Sequence, residues 1–200
     1  MWVGDLLARG IVSGLFVALA ANLFDDFMRT GHVTGLLLLV SELLVAVFTM
    51  TRRRTLDVDR SATALVLTTA SVLGPPLVRA SAGNGIVPDA VTVALSSVGL
   101  LIVIAGKITL GRSFGIVPAN RGVVTGGPYG RVRHPIYVGY IMTHLAFLAA
   151  HPLARNLIVL AIADAALIAR ALVEERTLAK DDRYRAYCRR VAWHFVPGVF

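Results

Sequence analysis

A single cysteine, Cys188, stands among 200 residues, so no intramolecular disulfide can staple this chain. Charge is also scarce: Asp, Glu, Lys and Arg make up 16% of the sequence, against about 25% in a water-soluble domain. Acidic groups are the scarcer sign, 12 against 20 Lys and Arg. The five histidines include no i, i+4 pair, and no CxxC accompanies them, so the common zinc signatures are absent and no metal site is expected. Strand–helix alternation is missing too, which excludes a doubly wound α/β fold. Internal repeats and low-complexity tracts are likewise absent.

What is present is apolar. Hydrophobic residues make up 56% of the chain, and the mean hydropathy is +0.71. Six apolar stretches run roughly over 6–24, 33–50, 61–79, 86–106, 135–150 and 157–173. A helix needs about 20 apolar residues to cross a bilayer; the first four approach this and the last two are short. The first stretch, with Arg9 before it and Ala18-Leu19-Ala20 within it, resembles a secretory signal but is read as the first span. Gly74-Pro75-Pro76 should kink or end the third. The fold class expected is all-α: a polytopic transmembrane bundle of five to six spans, forming one membrane domain over 1–200. Residues 1–106 would supply the N-terminal spans and 107–200 a catalytic half.

The net charge of +8 could point to nucleic acid, but its distribution argues against that partner. On this span assignment 17 of the 20 Lys and Arg fall on one side, leaving Arg29, Arg79 and Arg155 on the other. The basic loop 51–60 and the stretch 107–133 should therefore be cytoplasmic. The expected location is a bacterial plasma membrane, with the working face toward the cytoplasm. Segment 174–192 reads as a charged helix lying on that surface. Glu42 and Asp164 fall inside spans, where ionisable groups usually face the bundle interior.

The chemistry-bearing region begins at Gly111. From Gly111 to His134 there are six glycines and two prolines, which no lipid-facing helix tolerates. Pro135 suits the first position of a helix, placing Arg133 and His134 at a helix N-terminus that favours an anion. At helical spacing, His134, Tyr137, Tyr140 and His144 form one polar stripe. Arg170 and Glu174 are four apart and can pair along one helix face. A hairpin of the last two spans would return Glu174 and Glu175 to the face where His134 began. Positive and negative groups would then share one pocket, suited to a zwitterionic ligand.

GPYGRVRHPIYVGY (127–140), followed by Glu174-Glu175, resembles the isoprenylcysteine carboxyl methyltransferase family and the phospholipid methyltransferases of the same membrane superfamily. The likeness extends from Leu110 to Gly198. It implies S-adenosylmethionine as methyl donor and a lipophilic small-molecule or lipidated acceptor, isoprenoid or lipid, entering from the bilayer; the methyl group would go to a carboxylate, the favoured reading, or to an amine or thiol. It implies that Tyr129, Arg133, His134, Tyr137 and Gly139 line the cofactor site, that Glu174 and Glu175 complete it, and that Tyr184 and Tyr187 cover it. Arg170, working with Glu174, would hold the acceptor. One departure is Trp193-His194, where relatives often place Arg. The alternatives are a sterol-reductase-like NADPH enzyme, which shares the Arg-His-Pro motif, and a non-enzymatic transporter or assembly protein.

Overall fold

A computed structural model describes residues 2–51, 59, 61–81, 83, 85–114 and 120–199, with backbone only at 2–13, 45–51 and 112. Arg52, Arg53, Arg54 and Arg60 of the basic loop, and 115–119 of the glycine-rich segment, lie outside the described residues. Among the described residues there are seven α-helices and no strand: α1 (Trp2–Thr30), α2 (Thr34–Thr51), α3 (Ala62–Leu73), α4 (Asp89–Leu110), α5 (Pro135–Ala150), α6 (Ala154–Leu178) and α7 (Asp182–Arg190).

Local sequence explains the boundaries. Ser61 caps α3, its hydroxyl accepting from Ala64 N at 3.1 Å. Pro75 and Pro76 then stop the helix in a 3-10 turn, Pro75–Leu77, so the 61–79 stretch is helical for only 12 residues. Asp89 opens α4 and Lys107 sits in its last turn, each complementing the helix dipole. The charged segment 174–192 is not one helix. α6 runs on to Leu178, and Asp181 caps a new start by accepting from Arg183 N at 2.8 Å.

α4 and α6 have 22 and 25 residues and are apolar enough to cross a membrane. At about 1.5 Å per residue they measure about 33 and 37 Å, enough for a hydrocarbon core of about 30 Å. Their outer faces suit lipid: Leu101 and Ile108 of α4 are 65% and 68% exposed, and Leu157, Ile158 and Ile162 of α6 are exposed beside them.

α4 and α5 meet through glycine. A Cβ on Gly139 would sit 2.5 Å from the Gly99 carbonyl oxygen, and one on Gly99 2.7 Å from that of Gly139. Each obstacle is backbone and cannot swing away. Gly139→Ala is therefore expected to cost about 1–3 kcal/mol by overpacking. Thermal melting in detergent checks this; an unchanged melting temperature would mean the helices part freely.

The non-helical segment 78–81 is fixed by amide and imidazole side chains. Asn156 Oδ1 accepts from Arg79 N at 2.9 Å, and its Nδ2 donates to Arg79 O at 2.8 Å. Asn22 Oδ1 accepts from Ala80 N at 2.9 Å, and His151 Nδ1 from Ser81 N at 3.2 Å. Irregular backbone at this end is thereby satisfied within protein.

Candidate active site

The α5–α6 hairpin brings the two halves of the motif together, as its spacing foretold. His134 Nε2 and Glu175 Oε1 are 2.9 Å apart, and the Tyr137 hydroxyl donates to Glu174 Oε2 at 2.7 Å. The stripe His134, Tyr137, Tyr140 and His144 is buried throughout. His134 stacks on Tyr137 with ring centroids 5.2 Å apart, and Tyr140 on His144 at 6.4 Å.

Glu175 does not line the cavity that these residues enclose. Its Oε1 meets His134 and His194, the latter at 2.7 Å, and its Oε2 accepts from Arg133 Nη1 at 2.9 Å. Arg133 also donates to the backbone oxygens of Val191 and Cys188, at 2.8 and 3.2 Å. The helix N-terminus expected to attract an anion is engaged as well: Arg133 N and His134 N donate to the Trp193 and His194 carbonyls, each at 2.9 Å. The C-terminal segment thus forms a strap across the start of α5, with Glu175 as its pin. His194, noted only as a departure from the family pattern, is part of that pin.

The donor atoms of His134, Glu175 and His194 lie within 4.8 Å of one another, a spacing that could hold a metal ion. No metal site was expected from sequence spacing, and residues so far apart in the chain give no such signal. Here the carboxylate already meets both rings.

The cavity beside the pin encloses about 720 Å³ of space, the open solvent at its mouth included. Of the residues singled out from sequence, Tyr129, Arg133, His134, Tyr137, Glu174 and Tyr187 line it. Gly139 does not, being occupied against Gly99. The glycine-rich loop supplies Arg121, Gly122 and Val123 as another wall. Gly127 must be glycine: its φ is +56°, and a Cβ would lie 2.8 Å from Thr109 Oγ1. Tyr187 closes the lid by donating to Tyr129 O at 2.8 Å. Burial pushes the Tyr187 hydroxyl up to about 12, and it raises Tyr129 and Tyr184 too, so all three stay protonated donors at neutral pH. Burial likewise raises the Cys188 thiol, which suits a packing role rather than a nucleophile's.

A second cavity, about 440 Å³ with open solvent included, lies deeper and shares Tyr137 and Phe114 with the first. Its other walls include Glu42, Ser71, Tyr140, His144 and Arg170. Arg170 is 5% exposed and does not pair with Glu174 along the helix as expected. Instead its Nε and Nη2 donate to the Tyr137 hydroxyl at 3.3 and 3.0 Å, and its Nη1 donates to Ser71 Oγ at 3.0 Å. The Tyr137 hydroxyl, accepting from Arg170 and donating to Glu174, stands between them because it reaches that point from the facing helix. Ser71, at the end of the short α3, carried no sequence signal for this role.

No curated protein matches the chain. Residues 89–183, from the first residue of α4 into α7, match the family model for phospholipid methyltransferases, which implies methyltransferase activity. Residues 89–183 are thus similar to the phospholipid methyltransferase family, the family of the isoprenylcysteine carboxyl methyltransferase-like membrane enzymes.

Proposed function

We propose that this protein is an integral membrane methyltransferase that uses S-adenosylmethionine to methylate a carboxylate on a lipophilic acceptor. In this reading the chain is one membrane domain of five or six spans, with spans 1–106, a catalytic half over 107–200 and its pocket facing the cytoplasm. The observation that carries the reading is the pair of cavities meeting at Tyr137.

The outer cavity has the donor set this cofactor requires. Glu174 offers a carboxylate to an ammonium group, Tyr129, Tyr184 and Tyr187 offer ring surface to a sulfonium and an adenine, and Arg133 and His134, held by Glu175, line the same space. When bound, the cofactor supplies an electrophilic methyl group. The protein's part is positional. Arg170 holds the acceptor carboxylate, and Tyr137 and Ser71 fix the guanidinium. Phe114, Val72 and Leu167 limit water around the reacting group. An ionised carboxylate needs no general base, so alignment and desolvation are sufficient.

Calorimetric titration of the purified protein in detergent with S-adenosylmethionine tests this. Saturable binding is expected, weakened at least ~10-fold, about 1.4 kcal/mol, by either Glu174→Ala or His134→Ala. A folded native protein that binds NADPH and not S-adenosylmethionine would overturn the reading.

A further inference from the structure

We propose that the inner cavity reads a second group on the acceptor: a hydrogen-bond donor, hydroxyl or N–H, recognised by Glu42, Tyr140 and His144. This rests on the methyltransferase reading only in placing the carboxylate at Arg170.

Two buried polar atoms of residues that line this cavity make no hydrogen bond among the described residues. They are the Tyr140 hydroxyl and His144 Nε2. Their side chains are 6% and 3% exposed, and both line the inner cavity. A buried polar group left unmade is costly, so a pair beside one space marks a place for a complementary group. The orientation of His144 is fixed from behind: Asp164 Oδ1 lies 2.6 Å from Nδ1 and, as a carboxylate, accepts its proton. On the other side Glu42 Oε1 stands 3.6 Å from Nε2, beyond hydrogen-bond range.

Glu42 and Asp164 bring two acidic side chains against one imidazole, and with Nδ1 carrying the proton a neutral His144 presents a bare Nε2 that accepts. Lys107 faces them from α4, with Nζ 3.5 Å from the Ser41 carbonyl oxygen and 5.5 and 5.1 Å from the ring centres of Phe114 and Tyr140. The Arg170 wall carries a guanidinium. The cavity therefore suits a ligand with a carboxylate at one end and a donor at the other.

N-hexadecanoylglycine and its N-methyl counterpart differ only by the donor, and both carry the carboxylate and an alkyl chain. Their affinities for the full chain in detergent should differ about tenfold in favour of the N–H compound, the size of one hydrogen bond. The ratio should fall to about one in His144→Phe and in Glu42→Gln, and should shrink in the milder Tyr140→Phe. Arg170→Ala should weaken both compounds alike. Thermal melting in detergent reports that each variant is folded. A ratio near one in the native protein, a ratio preserved in the variants, or no binding of either amphiphile overturns the inference. If the ratio behaves as stated while S-adenosylmethionine fails to bind, the inference stands and the methyltransferase reading falls.

Discussion

Arg170→Ala is expected to lower turnover of a lipophilic carboxylate by at least ~10²-fold, the cost of losing alignment at the reacting centre, while S-adenosylmethionine affinity stays within about twofold. The reason is the company Arg170 keeps. Its guanidinium is buried, and its hydrogen bonds end on the neutral hydroxyls of Tyr137 and Ser71. Nature rarely buries a cation without an opposite charge to meet, and an incoming carboxylate would supply one. Its plane also lies over the Tyr137 ring, 5.0 Å from the centroid. A lysine cannot reproduce that fork and stacking together, so Arg170→Lys should recover little. Steady-state assays with initial rates at saturating cofactor separate the two parameters. Undiminished turnover in a folded Arg170→Ala protein would remove this residue from acceptor positioning.

Glu175→Ala should have the largest effect on stability. It leaves Arg133, His134 and His194 facing one another without their carboxylate. Breaking a buried ion pair from one side costs about 3–5 kcal/mol, which in a protein of this size lowers the melting temperature by roughly 6–20 °C. The strap should loosen with it, so trypsin should cut sooner at Arg189 and Arg190. Glu175→Gln keeps a hydrogen-bond acceptor and should fall between native and alanine. Equal melting curves for all three would show that the strap is held by its backbone bonds alone.

The sequence exposed some of this arrangement and concealed the rest for physical reasons. Helical period and apolar length are local properties, so the α5–α6 hairpin and the buried stripe His134, Tyr137, Tyr140 and His144 could be read directly. The same arithmetic returned Glu174 and Glu175 to the face where His134 begins. It did not reveal that Glu175, one residue on, points elsewhere, because a rotation of about 100° per residue sends neighbours to different partners. Partners that meet through tertiary contact were invisible: Ser71 with Arg170, His194 with Glu175, Glu42 near His144. The break between α6 and α7 was legible in principle, since Asp181-Asp182 is a capping signal. It was passed over because the surrounding charge reads as one continuous surface helix. Gly139 was singled out for the cofactor, yet a glycine permits close approach by any neighbour, and here that neighbour is α4.

The strap also bears on how the protein is made. His134 leaves the ribosome well before the Trp193 and His194 carbonyls that its neighbourhood bonds to. The segment 89–178 is synthesised before the residues that shut the outer cavity. Helix synthesis and catalytic competence are thereby separated in time: a nascent chain at that stage has an open, unpinned half-site. It gains its closed cavity only when translation has delivered the strap.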